Sequence, residues 1–200
     1  QLGDLQEMFE KGAADGRIDE LWSVMQVLAT FRDRVDGPDG LDHVPAPARL
    51  ARGDAATELV FLPAYFGKAS PYDYLGLADH WRGRRDVSAV FQPGFFKGQP
   101  LPSDIVAVAR IHARAVLEHV GDRPFVLAGH SGGGLVAYAV AHELELQGQR
   151  RPSGVVLIDS YVEGEALVRL GPLMATALSD HYQTAYQALV RQYMTGPRFA

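Results

Sequence analysis

Cysteine is absent from the 200 residues, which excludes disulfides, thiolate metal sites and a cysteine nucleophile. No run of lysine and arginine occurs, and 19 basic against 24 acidic residues leave a net charge of −5, which argues against a nucleic-acid partner. No apolar stretch approaches the length of a bilayer span and no signal peptide opens the chain, so no membrane partner is expected and a cytoplasmic location fits. Internal repeats and low-complexity tracts are also missing. What remains is an ordinary globular composition, 47% hydrophobic and 22% charged, with enough chain for one domain and a sizeable core. The chain begins at Gln1 and ends at Ala200, and the expectation is a C-terminally incomplete piece of something longer.

The apolar pattern alternates between two periods. Leu2, Leu5, Phe9 and Ala13 recur at helical spacing, and a stronger helix is expected from Ile18 to about Arg34, with Ile18, Leu21, Trp22, Met25, Leu28 and Ala29 on one face. Val24, Val27 and Phe31 widen that apolar surface, which either packs on its own domain or meets a second copy. Residues 36–56, rich in glycine and proline, read as an irregular connection. Four strands follow: Glu58–Leu62, Val87–Phe91, Phe125–Ala128 and Gly154–Ile158. Helices lie between them, one carrying Tyr74, Leu75, Ala78 and Trp81, one capped by Ser103, and one from about Gly133 to about Gln147 with Gly148 as its stop. A last helical stretch spans Glu163 to Met194, broken near Ser179-Asp180. Such alternation predicts an α/β fold, a mostly parallel sheet with helices on both faces.

The sharpest motif is Gly129-His130-Ser131-Gly132-Gly133, set between a strand and a helix. It fits the G-x-S-x-G turn in which a serine is strained and lifted above the sheet as a nucleophile. Gly129 and Gly133 answer the requirement that strand and helix nearly touch there. A serine hydroxyl needs a base, usually a histidine held in one tautomer by a carboxylate. Asp159, at the end of the next strand, is either that acid or a residue capping a nearby backbone amide. Two amide donors are needed for an oxyanion: Gly132 supplies one and the loop after Leu62, at Ala64 or Tyr65, the other. No residue set suggests a metal site. The base is harder to place. His112, His119 and His142 fall within helices, His130 should diverge from the Ser131 hydroxyl, and His181 lies between two helices resembling a lid.

Two other readings compete. Gly132-Gly133-Gly134-Leu135-Val136-Ala137 also satisfies a loose G-x-G-x-x-A pattern with an acidic residue at the next strand end, which would make a dinucleotide-binding Rossmann-like domain. A non-catalytic dimerisation or scaffold module is the other.

The chain resembles the thioesterase domains that terminate modular type I polyketide synthases, of the erythromycin and pikromycin type. The resemblance rests on Phe31-Arg32-Asp33, Gln92-Pro93-Gly94-Phe95, Pro100-Leu101-Pro102-Ser103, the run from Pro124 to Ser131, and Val155-Val156-Leu157-Ile158-Asp159. It implies an α/β-hydrolase fold with N-terminal helices over residues 1–35 forming a homodimer interface, a core over 57–160 and lid helices over 161–195. It implies transfer of an acyl chain from the phosphopantetheine of an acyl carrier domain to Ser131, with no bound cofactor. Release would then follow by water or by a substrate hydroxyl that closes a macrolactone. Asp159 falls where that family carries its acid, Tyr161 and Phe66 would line the acyl channel, and the histidine is expected beyond Ala200. Pro63-Ala64-Tyr65-Phe66 and Val162-Glu163 depart from the family pattern at the channel walls, which leaves hydrolysis and ring closure both open.

Overall fold

A computed structural model describes residues 8, 11, 12, 14–64, 70–96 and 98–160. The chain divides into two compact units, Gln1–Asp33 with Val162–Ala200, and Arg34–Tyr161. Of the first unit, helix α1 (Ile18–Thr30) is described. It ends four residues short of the expected Arg34. Val24, Val27, Leu28 and Phe31 stand exposed on it and at its end, Phe31 at 80%. The lid helices expected over 161–195, with Tyr161 and His181, lie outside the described residues, as do Leu2, Leu5, Phe9 and Ala13.

The second unit is built on strands β1 (Arg34–Val35), β2 (Ala48–Ala51), β3 (Gly53–Phe61), β4 (Gly83–Ala89), β5 (Leu101–Pro102), β6 (Phe125–His130) and β7 (Gly154–Ile158). Its helices are α2 (Leu75–Asp79), α3 (Ile105–Val120) and α4 (Gly132–Leu146). β1 and β5 pair as a small separate ribbon. The main sheet runs β2-β4-β3-β6-β7, parallel from β4 to β7, with β2 antiparallel at the edge. All four expected strands are therefore present and parallel.

Alternation along β3 explains the two layers. Val60 and Leu62 join Leu127, Val90 and the apolar faces of α3 and α4 in one core. Phe61 joins Val87, Ala89, Ala128, Tyr74 and Ala78 of the α2 side in the other. The chain leaves β3 toward α2 on one face and leaves β6 toward α4 on the opposite face. Such a reversal between neighbouring strands opens a crevice at their carboxyl ends, where ligands bind in open parallel sheets. β3 and β6 are that pair.

Three expectations need correction. Residues 36–56 are not wholly irregular: β2 and the start of β3 lie within them. Ala-Arg-Leu-Ala carries little strand propensity, and it forms a strand because it pairs with β4 and buries Leu50 and Ala51. Gly53 opens β3 early because the strands approach so closely that a Cβ there would meet the Arg85 nitrogen at 2.0 Å. The N-cap of α3 is Asp104, whose Oδ1 accepts from the Ala107 amide at 2.8 Å, while the Ser103 hydroxyl donates to Asp36. The helix around Tyr74 is a single 3-10 turn, Pro71–Tyr74, followed by the five residues of α2, and Trp81 lies past its end. Gly148, at φ +63°, stops α4 as expected, with the Gly148 and Gln149 amides closing on Glu145 and Leu144.

Candidate active site

Ser131 is the one residue between β6 and α4. Its backbone sits at φ 52°, ψ −123°, a conformation that costs a non-glycine residue strain and survives only where the surroundings over-determine it. Those surroundings are visible. The Ser131 amide donates to the Ile158 carbonyl at 2.8 Å, so pairing with β7 continues into the turn. A Cβ on Gly129 would lie 2.1 Å from the Gly133 carbonyl oxygen, and one on Gly133 would lie 2.2 Å from the Leu62 carbonyl oxygen. Strand, turn and helix thus meet at the spacing the sequence demanded. The turn sets Ser131 at the carboxyl end of β6, at the start of a 15-residue helix whose dipole favours negative charge.

The facing wall is the chain leaving β3. The Leu62 amide donates to the Ala128 carbonyl at 2.8 Å, extending the β3–β6 ladder to its last rung. The Tyr74 hydroxyl then ties the two strands together: it donates to the Leu62 carbonyl at 2.9 Å and accepts from the His130 amide at 3.1 Å. Burial pushes the Tyr74 hydroxyl up from its ordinary value, and the nearby Asp73 charge adds to that, so it stays protonated and donating. A methyl at Gly133 would sit 3.2 Å from the Ala64 nitrogen, so the Ala64 amide lies directly across from the turn. Of the loop residues singled out from the sequence, Ala64 is placed at the site, and Tyr65 and Phe66 lie outside the described residues. A cavity of about 280 Å³ adjoins the turn, lined by Pro63, Ala64, Asp73, Tyr74, Leu77, His130 and Ile158.

Asp159 follows β7 directly, in register with the turn because Ile158 pairs with His130. It too has positive φ, 49°. The adjacent Ser160 fixes this corner: its hydroxyl lies 2.8 Å from the Ser131 carbonyl oxygen and 3.1 Å from that of Ile158, sharing its proton between them. Ser160 fills the space in front of Gly134, where a Cβ would meet its Oγ at 2.0 Å. The His130 Nε2 lies 4.0 Å from an Asp159 carboxylate oxygen, with both side chains more than half exposed. His112 is fully buried against Gln92, and His119 is held by Glu58 level with the amino end of β6. Among the described residues, no cluster of three or more acidic or histidine ligands could hold a metal ion.

The architecture and the strained serine turn together match one family. The pattern of the thioesterase domain fits residues 57–190. The chain belongs to the thioesterase domain family. This thioesterase domain is 38% identical over 178 residues to the polyketide synthase GfsE of Streptomyces halstedii, an alignment covering 87% of this chain and 5% of GfsE. It is 40% identical over 162 residues to the erythronolide synthase EryA3 of Saccharopolyspora erythraea, covering 80% of this chain and 5% of EryA3. It therefore spans about a twentieth of the length of these relatives. Among solved structures, it superposes on the Vlm2 thioesterase domain bound with a dodecadepsipeptide at a TM-score of 0.52 and 25% identity, covering 78% of this chain and 62% of that one.

The fold is accordingly of the α/β-hydrolase type, and the family is one of serine-hydrolase-type thioesterases that need no cofactor. The thioesterase domain is related to those that release chains from polyketide and peptide synthases. A dinucleotide site is not what the glycine run serves: Gly133 and Gly134 face the chain's own Leu62 and Ser160.

The sequence assigned no role at the site to Tyr74, Gln92 or Ser160. Each acts on backbone carbonyls, which leaves no spacing pattern to read. Position alone could have flagged Gln92, a polar residue just past the carboxyl end of the strand beside β3.

Proposed function

We propose that this domain releases a polyketide chain from its synthase, with Ser131 as nucleophile. The Ser131 Oγ attacks the thioester carbonyl of an acyl group on carrier-bound phosphopantetheine, and its proton passes to a histidine base oriented by Asp159. The oxyanion that forms is met by the Gly132 amide and by an amide of the loop after Leu62, at Ala64 or Tyr65. Collapse breaks the C–S bond, the thiol leaves with the proton, and an acyl-serine ester remains. Water then yields an acid, or a hydroxyl of the chain yields a macrolactone. Tyr161 and Phe66 line the acyl channel in this reading, and the partners are an acyl carrier domain and a second copy meeting through the N-terminal helices. Exposed Val24, Val27, Leu28 and Phe31 support that self-association. A cytoplasmic site of action fits the reading, and among the described residues no helix is long and apolar enough to cross a membrane.

The single observation that carries the proposal is the backbone of Ser131, held at φ 52° between Gly129 and Gly133 with the Ala64 amide opposite. Fluorophosphonate labelling of the intact protein, read by peptide mass spectrometry, tests it. The expected result is a single adduct on Ser131. An adduct on another residue, or thioester turnover by a protein that takes no label, overturns it.

A further inference from the structure

The loop that faces Ser131 carries two carbonyls pointing into the protein, and one side chain receives both. The Gln92 Nε2 donates to the Pro63 carbonyl at 2.7 Å and to the Ala64 carbonyl at 2.8 Å. Its Oε1 accepts from the His112 Nε2 at 3.1 Å. Gln92 is 3% exposed and His112 is fully buried. The carboxamide therefore spends both donors and its acceptor on named partners, and the histidine contact decides which way the amide faces. Burial lowers the His112 imidazole to about 3, so near neutral pH it is an uncharged ring with its Nε2 proton on Gln92.

A trans peptide is planar, with its N–H directed opposite to its C=O. The Pro63 carbonyl shares a plane with the Ala64 amide. Pinning that carbonyl on Gln92 fixes the direction of the Ala64 N–H, which points the opposite way within the same plane, and the Ala64 nitrogen is 3.2 Å from where a methyl on Gly133 would stand. We infer that Gln92, oriented by His112, is a positioning residue that aims the Ala64 amide at the oxyanion site. No other side chain of similar reach meets the requirement. Glu would present oxygens to two carbonyls, and Met or Leu would leave both carbonyls unpaired in a buried place.

The inference rests on Ser131 as nucleophile, and the experiment separates the two. The intact protein and its Gln92→Met and Gln92→Glu variants are compared by melting temperature, by kcat and KM on an acyl N-acetylcysteamine thioester, and by the rate of phosphonylation located by mass spectrometry. Loss of one oxyanion donor costs about 10²–10³ in rate, so misaiming it in Gln92→Met is expected to lower kcat about 10–100-fold. KM stays within about twofold, and phosphonylation of Ser131 slows in parallel with kcat. In Gln92→Glu, the protonated carboxyl donates to one carbonyl and the ionised form repels both, so its kcat relative to wild type falls as pH rises. Absence of label on wild-type Ser131 defeats the nucleophile assignment on which this inference rests. Label on Ser131 with kcat and phosphonylation in a folded Gln92→Met variant within twofold of wild type overturns the role of Gln92 alone. If Gln92→Met does not fold, the pH ratio in Gln92→Glu decides, and a flat ratio overturns the inference.

Discussion

Around the amino end of β6, where Glu58 of β3 pairs with Phe125, the chain is held by charge, and at the carboxyl ends of β3 and β6 by neutral hydrogen bonds. Near the amino end, fully buried Glu58 takes Ser88 at 2.6 Å, His119 at 2.8 Å and Arg123 at 2.6 Å, with Arg49 at 3.5 Å. Asp86 adds ion pairs to Arg49 and Arg123 and a hydrogen bond from the Gly53 amide. Near the carboxyl end, Tyr74, Gln92 and Ser160 clamp five backbone carbonyls without a formal charge. The contrast has a physical sense. A developing oxyanion is stabilised by fixed dipoles, and the three side chains that hold the backbone here carry no charge of their own. Tyr74 stays protonated and His112 stays neutral, so this scaffold keeps one charge state through the neutral pH range. Ionic adhesion is placed a strand's length away.

If that division is real, substitutions at the two ends separate stability from rate. Glu58→Ala leaves two guanidinium groups and His119 around a buried void, and removing one partner of a buried ion pair costs about 3–5 kcal/mol. About 3 kcal/mol is expected by urea denaturation, the low end, because Arg49 and Arg123 keep partial contact with water. The folded variant keeps its acylation rate within about twofold, whereas a large loss of rate would mean the two ends are not independent.

Tyr74→Phe works the other way. It removes two hydrogen bonds at the carboxyl end, for about 1–2 kcal/mol of stability, and loosens the Leu62–His130 tie beside the turn. A fall in kcat of about fivefold is expected by the positional sensitivity of such sites. An unchanged kcat would show that the β3–β6 ladder alone holds the crevice.

The smallest effect is a slope. Burial pushes the Glu58 carboxyl up, but hydrogen bonds from His119 and Ser88, with the charges of His119 and Arg49, outweigh it and leave it below its ordinary 4.5. Burial likewise raises Asp86, and the Gly53 amide with Arg49 and Arg123 overcomes it. A carboxyl lowered in the folded state stabilises fully above its unfolded value, and that stability is lost as pH falls through the folded one. Wild-type stability should therefore decline below about pH 4.5, and Glu58→Gln should flatten the decline. Equal slopes would remove Glu58 from the account.

Much of this was legible in the residues. The turn announced itself because Gly129, Ser131 and Gly133 stand at the spacing that close contact requires, and three apolar strands around it could not be mistaken for loops. β2 was hidden because Ala-Arg-Leu-Ala becomes a strand only through its partner. The N-cap of α3 slipped by one residue because Ser103 and Asp104 are both capping types, and only tertiary contact with Asp36 draws the serine away. Gln92 and Tyr74 were given no site role because a side chain that grips a backbone carbonyl has no fixed sequence distance from it.

The central claim is that the strained residue between β6 and α4 carries the acyl chain. The most direct measurement is the mass of the intact protein during turnover of a slow acyl thioester, followed by localisation of the added acyl group. An acyl increment on Ser131, lost in Ser131→Ala together with at least about 10⁴-fold of activity, is the predicted result. Turnover that persists in Ser131→Ala, or an acyl group found on another residue, would contradict it.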